Sequence, residues 1–163
     1  MRPAVWLAVI VLVSAGGCGD QEDRSDGERT PSNPYVGLTY REPPPGIRDL
    51  GGALIGGIYA VSRMQRPPRE MLWLNKRVSA PEARLPRWRV LGVLNLPPLR
   101  RGEVVAIGTC DIASRRYQDA VAVWPTDRGA EAPARLAWLA NGPARRFEPI
   151  EPGRVNCREE LAG

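Results

Sequence analysis

Trp88-Arg89-Val90-Leu91-Gly92-Val93-Leu94-Asn95-Leu96 is the stretch whose pattern sets the fold class. Successive side chains of a β-strand point to opposite faces. Val90, Leu94 and Leu96 therefore share one face, and Leu91 and Val93 share the other. A strand with one wet face alternates strictly between apolar and polar residues, so apolar residues on both faces imply that both are covered. Two further stretches repeat the pattern. Glu70 to Val78 carries four consecutive apolar residues, Met71 to Leu74, and Val104-Val105-Ala106-Ile107 lies within a strand expected over 103–110.

Working outward, weaker strands are expected at 58–64 and 119–124, separated by segments rich in proline and glycine. Asn141-Gly142 between 135–140 and 146–150 reads as a hairpin turn, because Asn-Gly supplies the positive φ of such turns. A helix over 132–140 is the rival. The glycine-rich Gly51 to Gly57 reads as a turn or bulge before a strand. The expected fold is mainly β: a small single-domain sandwich, a barrel-like sheet or a meander, with room for one short helix.

The chain has 163 residues, with 17 prolines, 17 glycines and no histidine. Of its 23 basic residues only Lys76 is a lysine. Absence of histidine excludes Ser-His-Asp and Cys-His catalysis and histidine-based metal sites, and no metal or cofactor motif appears. Residues 19–30 are acidic, and residues 31–163 carry the basic excess. Residues 18–50 are polar, acidic and proline-rich, which reads as a disordered tether; within it Tyr35, Val36, Leu38 and Tyr40 have the character of a short edge segment that docks on the domain. The domain proper is expected over 51–163.

Arg2 precedes ten apolar residues, Ala4 to Val13, followed by Ser14-Ala15-Gly16-Gly17-Cys18. A charged start, a short apolar core and small residues make a secretory signal, too short to span a bilayer. The small residues ending in cysteine resemble the lipobox of bacterial lipoproteins, although Ala15 stands where that family usually has leucine. The resemblance implies cleavage after residue 17, lipidation of Cys18 and attachment to a membrane of the bacterial cell envelope, at the outer membrane or the periplasmic face in a Gram-negative cell. Ordinary cleavage after Ala15 is the alternative. The passage from Glu70 through Gly102-Glu103 also resembles uncharacterised small secreted bacterial proteins, which implies no activity.

With Cys18 set aside, Cys110 and Cys157 remain as a pair in an oxidising compartment, where paired cysteines form disulfides. Cys110 beside Arg115 and Arg116 also has the makings of an activated thiol, but the disulfide is the simpler role. Glu103 and Asp111 are carboxylates at the two ends of one expected strand, roughly 26 Å apart if extended. That is too far for a glycosidase-like pair, whereas Asp111 and Asp119 could meet across a loop. Trp73, Trp88, Trp124 and Trp138 read as core rather than as a glycan platform. Arginine doublets at 100–101, 115–116 and 145–146 fall in expected loops, and guanidinium groups bind phosphates and carboxylates bidentately. Taking the loop at 141–145 to return to the end that holds 100–101, Arg100, Arg101, Arg145 and Arg146 form one anion-facing end, with Arg115 and Arg116 apart. The favoured function is a non-enzymatic envelope lipoprotein that binds a partner or an anionic envelope component, with nucleic acid disfavoured by export. The alternative is a carboxylate-based hydrolase acting on an envelope polymer.

Overall fold

A computed structural model of the chain describes residues 33–127 and 132–157. Twelve strands are assigned within them, all paired antiparallel, and the fold is mainly β. The first sheet holds β1 (Thr39–Tyr40), β2 (Arg48–Gly56), β3 (Tyr59–Arg66), β4 (Arg69–Arg77) and β5 (Trp88–Asn95), in the order β1-β5-β4-β3-β2. The second holds β6 (Glu103–Ile107), β9 (Ala120–Pro125), β10 (Leu136–Asn141) and β11 (Arg146–Pro149), in the order β11-β10-β9-β6. The third is small: β12 (Val155–Cys157), β7 (Cys110–Ile112) and β8 (Arg115–Tyr117), in the order β12-β7-β8. None of the three closes into a barrel among the described residues.

The coverage implied by two-sided apolar strands is found on both large sheets. Val61, Leu72 and Leu74 of the first sheet pack with Val121, Val123 and Ala140 of the second, which is the sandwich core. The far face of the second sheet, with Ala122, Trp124 and Ala137, packs on Cys110, Val155 and Cys157 of the third. The far face of the first sheet, with Met64, Met71, Trp73 and Val90, is covered by Tyr35, Leu38, Tyr40 and Ile47. Residues 33–50, expected within a disordered tether, thus contribute β1, the start of β2 and the cover of a sheet face. The physical reason is aromatic. Tyr35 lies 5.0 Å from the Trp73 ring, and Tyr40 meets it edge-on at 5.4 Å. Burial of three large rings offsets the entropy of ordering a short segment.

Three local expectations are corrected. The strand expected over 103–110 ends at Ile107, because Gly108 at φ 75° turns the chain out of the second sheet. The polar loop expected at 111–118 is a tight hairpin, with Ala113 at φ 48° and Ser114 at φ 69° in its turn. The glycine run at 51–57 lies largely inside β2, where two register shifts against β3 mark bulges. Residues 136–141 form a strand rather than the rival helix. The only helical piece among the described residues is a single 3-10 turn, Pro152–Arg154.

Candidate anion-binding cleft

On the inner face of the first sheet, β4 presents Leu72, Leu74 and then Lys76, where the apolar core ends. Directly opposite Lys76 stand Arg89 on β5 and Tyr59 on β3. Two cations facing each other across an antiparallel pair are destabilising in themselves. Their alignment depends on a bulge: Leu74 pairs with Gly92 but Asn75 with Val90, so Leu91 is the extra residue that brings Arg89 onto the same face as Lys76.

The turn between β10 and β11 closes the site from above, and two close approaches hold it there. A Cβ on Gly142 would sit 2.6 Å from the Tyr59 ring, and one on Gly92 would sit 2.8 Å from the Arg145 carbonyl oxygen. Arg145 itself is held at φ 59°, a conformation sparsely populated by residues with side chains. Asn141 steadies the turn by accepting the Ala144 N–H at 2.9 Å. The third wall is the N-terminal cover. Gly37 N–H donates to the Val90 carbonyl at 2.8 Å, and Val90 N–H donates to the Leu38 carbonyl at 2.9 Å. The result is a cleft of about 260 Å³ that Lys76, Arg89 and Arg145 line together with Tyr59, Val36 and Gly37. No acidic side chain lines it among the described residues.

Of the arginines singled out from sequence, only Arg145 lines this cleft. Arg146 is turned to solvent and pairs with Glu148, Nη2 to Oε1 at 3.0 Å. Arg100 and Arg101 lie at the other end of the second sheet, beside the place where Glu103 of β6 faces Pro125 of β9. The four-arginine end is therefore not formed. Three strands, β6, β9 and β10, separate the two loops, and an odd number of antiparallel strands puts successive loops at opposite ends. Arg115 rests 5.8 Å from the centre of the Tyr117 ring, and Arg116 lies 4.0 Å from Asp111. The β7–β8 hairpin that carries these two follows β6 at its Ile107 end, the end where β10 turns into β11.

Of the carboxylates considered from sequence, Glu103, Asp111 and Asp119, the first is committed elsewhere. Glu103 accepts from Arg135 at both oxygens, Nε to Oε1 at 2.6 Å and Nη2 to Oε2 at 2.8 Å, and from the Arg100 N–H at 2.8 Å. The Arg135 hydrogen bonds hold its carboxyl below the ordinary value, opposite to the shift that a general acid needs. Cys110 and Cys157 form a disulfide with their Cα atoms 4.0 Å apart. They face each other in register on β7 and β12, three residues along from the ladder bond of the Ala113 N–H to the Arg154 carbonyl, so theirs is a non-hydrogen-bonded pair with closely spaced side chains. Trp73 and Trp124 are buried and Trp88 and Trp138 half-buried, so none offers an open platform. Among the described residues no group of cysteine and acidic side chains is placed to hold a metal ion. Cys18 lies outside the described residues.

Sequence reasoning missed Lys76, Arg89 and Tyr59. The signal available was slight: the only lysine of the chain follows directly on the buried run Met71 to Asn75 of β4. Set beside known proteins, the chain matches no protein-family model, no curated protein and no solved structure.

Proposed function

We propose that the chain is a non-enzymatic lipoprotein of the bacterial envelope that binds an anionic partner through the cleft of Lys76, Arg89 and Arg145. The observation that carries this reading is the unbalanced charge. Among the described residues three cations line one cavity without an acid, and two of them stand directly opposed, an arrangement that costs stability unless an anion sits between them. The glycine-only approaches at Gly92 and Gly142 add support, because they fix the backbone that carries the third cation before any ligand arrives. Export and lipid attachment at Cys18 belong to the same proposal and rest on the leader sequence. Glu103 does not support the hydrolase alternative, because both of its oxygens are bound to Arg135.

The test is titration calorimetry with sulfate at low ionic strength. Arg89→Glu is expected to abolish binding, and Arg100→Glu with Arg101→Glu to leave it nearly intact. Added salt weakens the wild-type interaction by screening. Equal loss in both variants, or no sulfate binding by the wild type, removes the cleft from consideration.

A further inference from the structure

Taking that cleft reading as its base, we propose that the preferred occupant is a phosphomonoester: a terminal, doubly charged phosphate on a small organic body. Three features of the cleft select it. Its cations approach from three separate elements, Lys76 from β4, Arg89 from β5 and Arg145 from the hairpin turn. A carboxylate offers two oxygens in one plane. A terminal phosphate offers three, spread around phosphorus, so each cation can find its own. Charge argues the same way, since a single negative charge leaves two of the three cations unbalanced. Size and lining supply the third argument. At about 260 Å³ the cavity lies just under the range of ~300–1,000 Å³ usual for drug-sized ligands. Val36, Val78 and Pro143 give it an apolar flank against which a short organic group can rest. A phosphodiester of a bilayer lipid fits less well, because it carries one charge and is substituted on two of its oxygens.

The absence of histidine makes this testable with unusual clarity. The chain lacks the one side chain whose charge ordinarily changes between pH 5 and 8. Besides Lys76, Arg89 and Arg145, the only titratable group lining the cleft among the described residues is the Tyr59 phenol. A pH dependence of binding in that interval therefore reports the ligand. A phosphomonoester takes its second charge near pH 6, so the dianionic fraction rises about fourfold between about pH 5.5 and about pH 7.5.

The experiment is calorimetry of glycerol phosphate and of sulfate against the full chain at both pH values. Vesicles containing phosphatidylglycerol form a third arm. The expected result is that glycerol phosphate binds about fourfold more tightly at the higher pH while sulfate does not change. Lys76→Gln and Arg89→Gln should each weaken glycerol phosphate about tenfold. Lys76→Arg, which keeps the charge, should retain most of the affinity, and the wild-type pH profile stands even if a neutral variant folds poorly. Glycerol phosphate affinity independent of pH overturns the dianion while leaving an anion cleft in place. Vesicle binding without glycerol phosphate binding also overturns it, in favour of a membrane surface. If neither sulfate nor glycerol phosphate binds, the cleft reading falls as well.

Discussion

Arg135 grips Glu103 by both carboxylate oxygens, at 2.6 and 2.8 Å, and so ties the strand that opens the second sheet to the loop that leads into β10. The Glu103 side chain is only 6% exposed. Removing Arg135 therefore leaves a shielded carboxylate without its principal donor. Arg135→Ala should cost about 2–3 kcal/mol in urea unfolding near neutral pH. The pair also sets an acid limit. Its folded pKa is lowered from 4.5, so the stabilisation is complete above that value and drains away as pH falls through the folded one. The acid-side slope of stability should be shallower in Arg135→Ala than in the wild type, and identical slopes would remove the pair from the account of acid unfolding.

At the other end of the pH scale the group to watch is Tyr40. Burial raises its phenol from 10.0 to about 12, against opposing hydrogen bonds from Ser62 and Asn75. The folded chain thus keeps its proton where the unfolded chain gives it up. Stability from this group is intact below pH 10 and is lost as pH rises toward 12. Tyr40→Phe should flatten the fall in melting temperature over that interval. An unchanged alkaline profile would mean that the phenol is open to solvent.

Reduction of Cys110–Cys157 releases a cross-link spanning 47 residues. Loop entropy sets the loss at about 4 kcal/mol. Cys110→Ser and the double serine variant should lose similar amounts under denaturant, since either removes the same constraint. Thiol titration of unfolded, unreduced protein should find neither cysteine free.

Gly142→Ala places a methyl group against the Tyr59 ring at a separation of 2.6 Å. The turn must lift. Stability should fall by about 1–3 kcal/mol, the usual cost of overpacking. Sulfate affinity should fall too, because Arg145 moves with the turn. Gly37→Ala, which meets nothing within 4 Å, is the control for a glycine near the cleft, although its φ of 90° makes it strained.

Mature protein should begin at Cys18 and partition into detergent, as two or more acyl chains anchor stably. Cys18→Ser should lose lipid labelling. An unlipidated terminus at Gly16, read by intact mass, decides for ordinary secretion.

Much of the fold was legible in the strands themselves. Val90 to Leu96 and Met71 to Leu74 carry apolar residues on both faces because both faces are covered, and Asn141-Gly142 marks its hairpin by local turn chemistry. The cover of the outer face was harder to see. Pro43-Pro44-Pro45 and the acidic stretch before them give that region the composition of a linker, yet Tyr35 and Tyr40 need only one large partner, Trp73, to fix it. The cleft was least legible. Lys76 and Arg89 meet only because a bulge at Leu91 shifts the register by one residue, and a one-residue slip sends a side chain to the other face. No composition or spacing rule reports such a bulge. The distribution of the arginine doublets was misjudged for a plainer reason: their ends of the sheet follow from the parity of the intervening strands.

The seating of Tyr35 and Tyr40 on Trp73 also decides how the domain answers a mechanical load. Tension applied through the N-terminus meets the Gly37 and Leu38 hydrogen bonds to Val90 and then β1, which pairs with β5 over only Thr39 and Tyr40. So short a ladder peels bond by bond, whereas β3 and β4 are joined over eight pairs and resist as a block. Val36 and Gly37 belong to the segment that peels and also to the wall of the cleft. A pull too weak to part β3 from β4 therefore opens the cleft first. In force spectroscopy this should register as a small early extension that bound anion moves to higher force, so that load on the N-terminal segment and occupancy of the site compete.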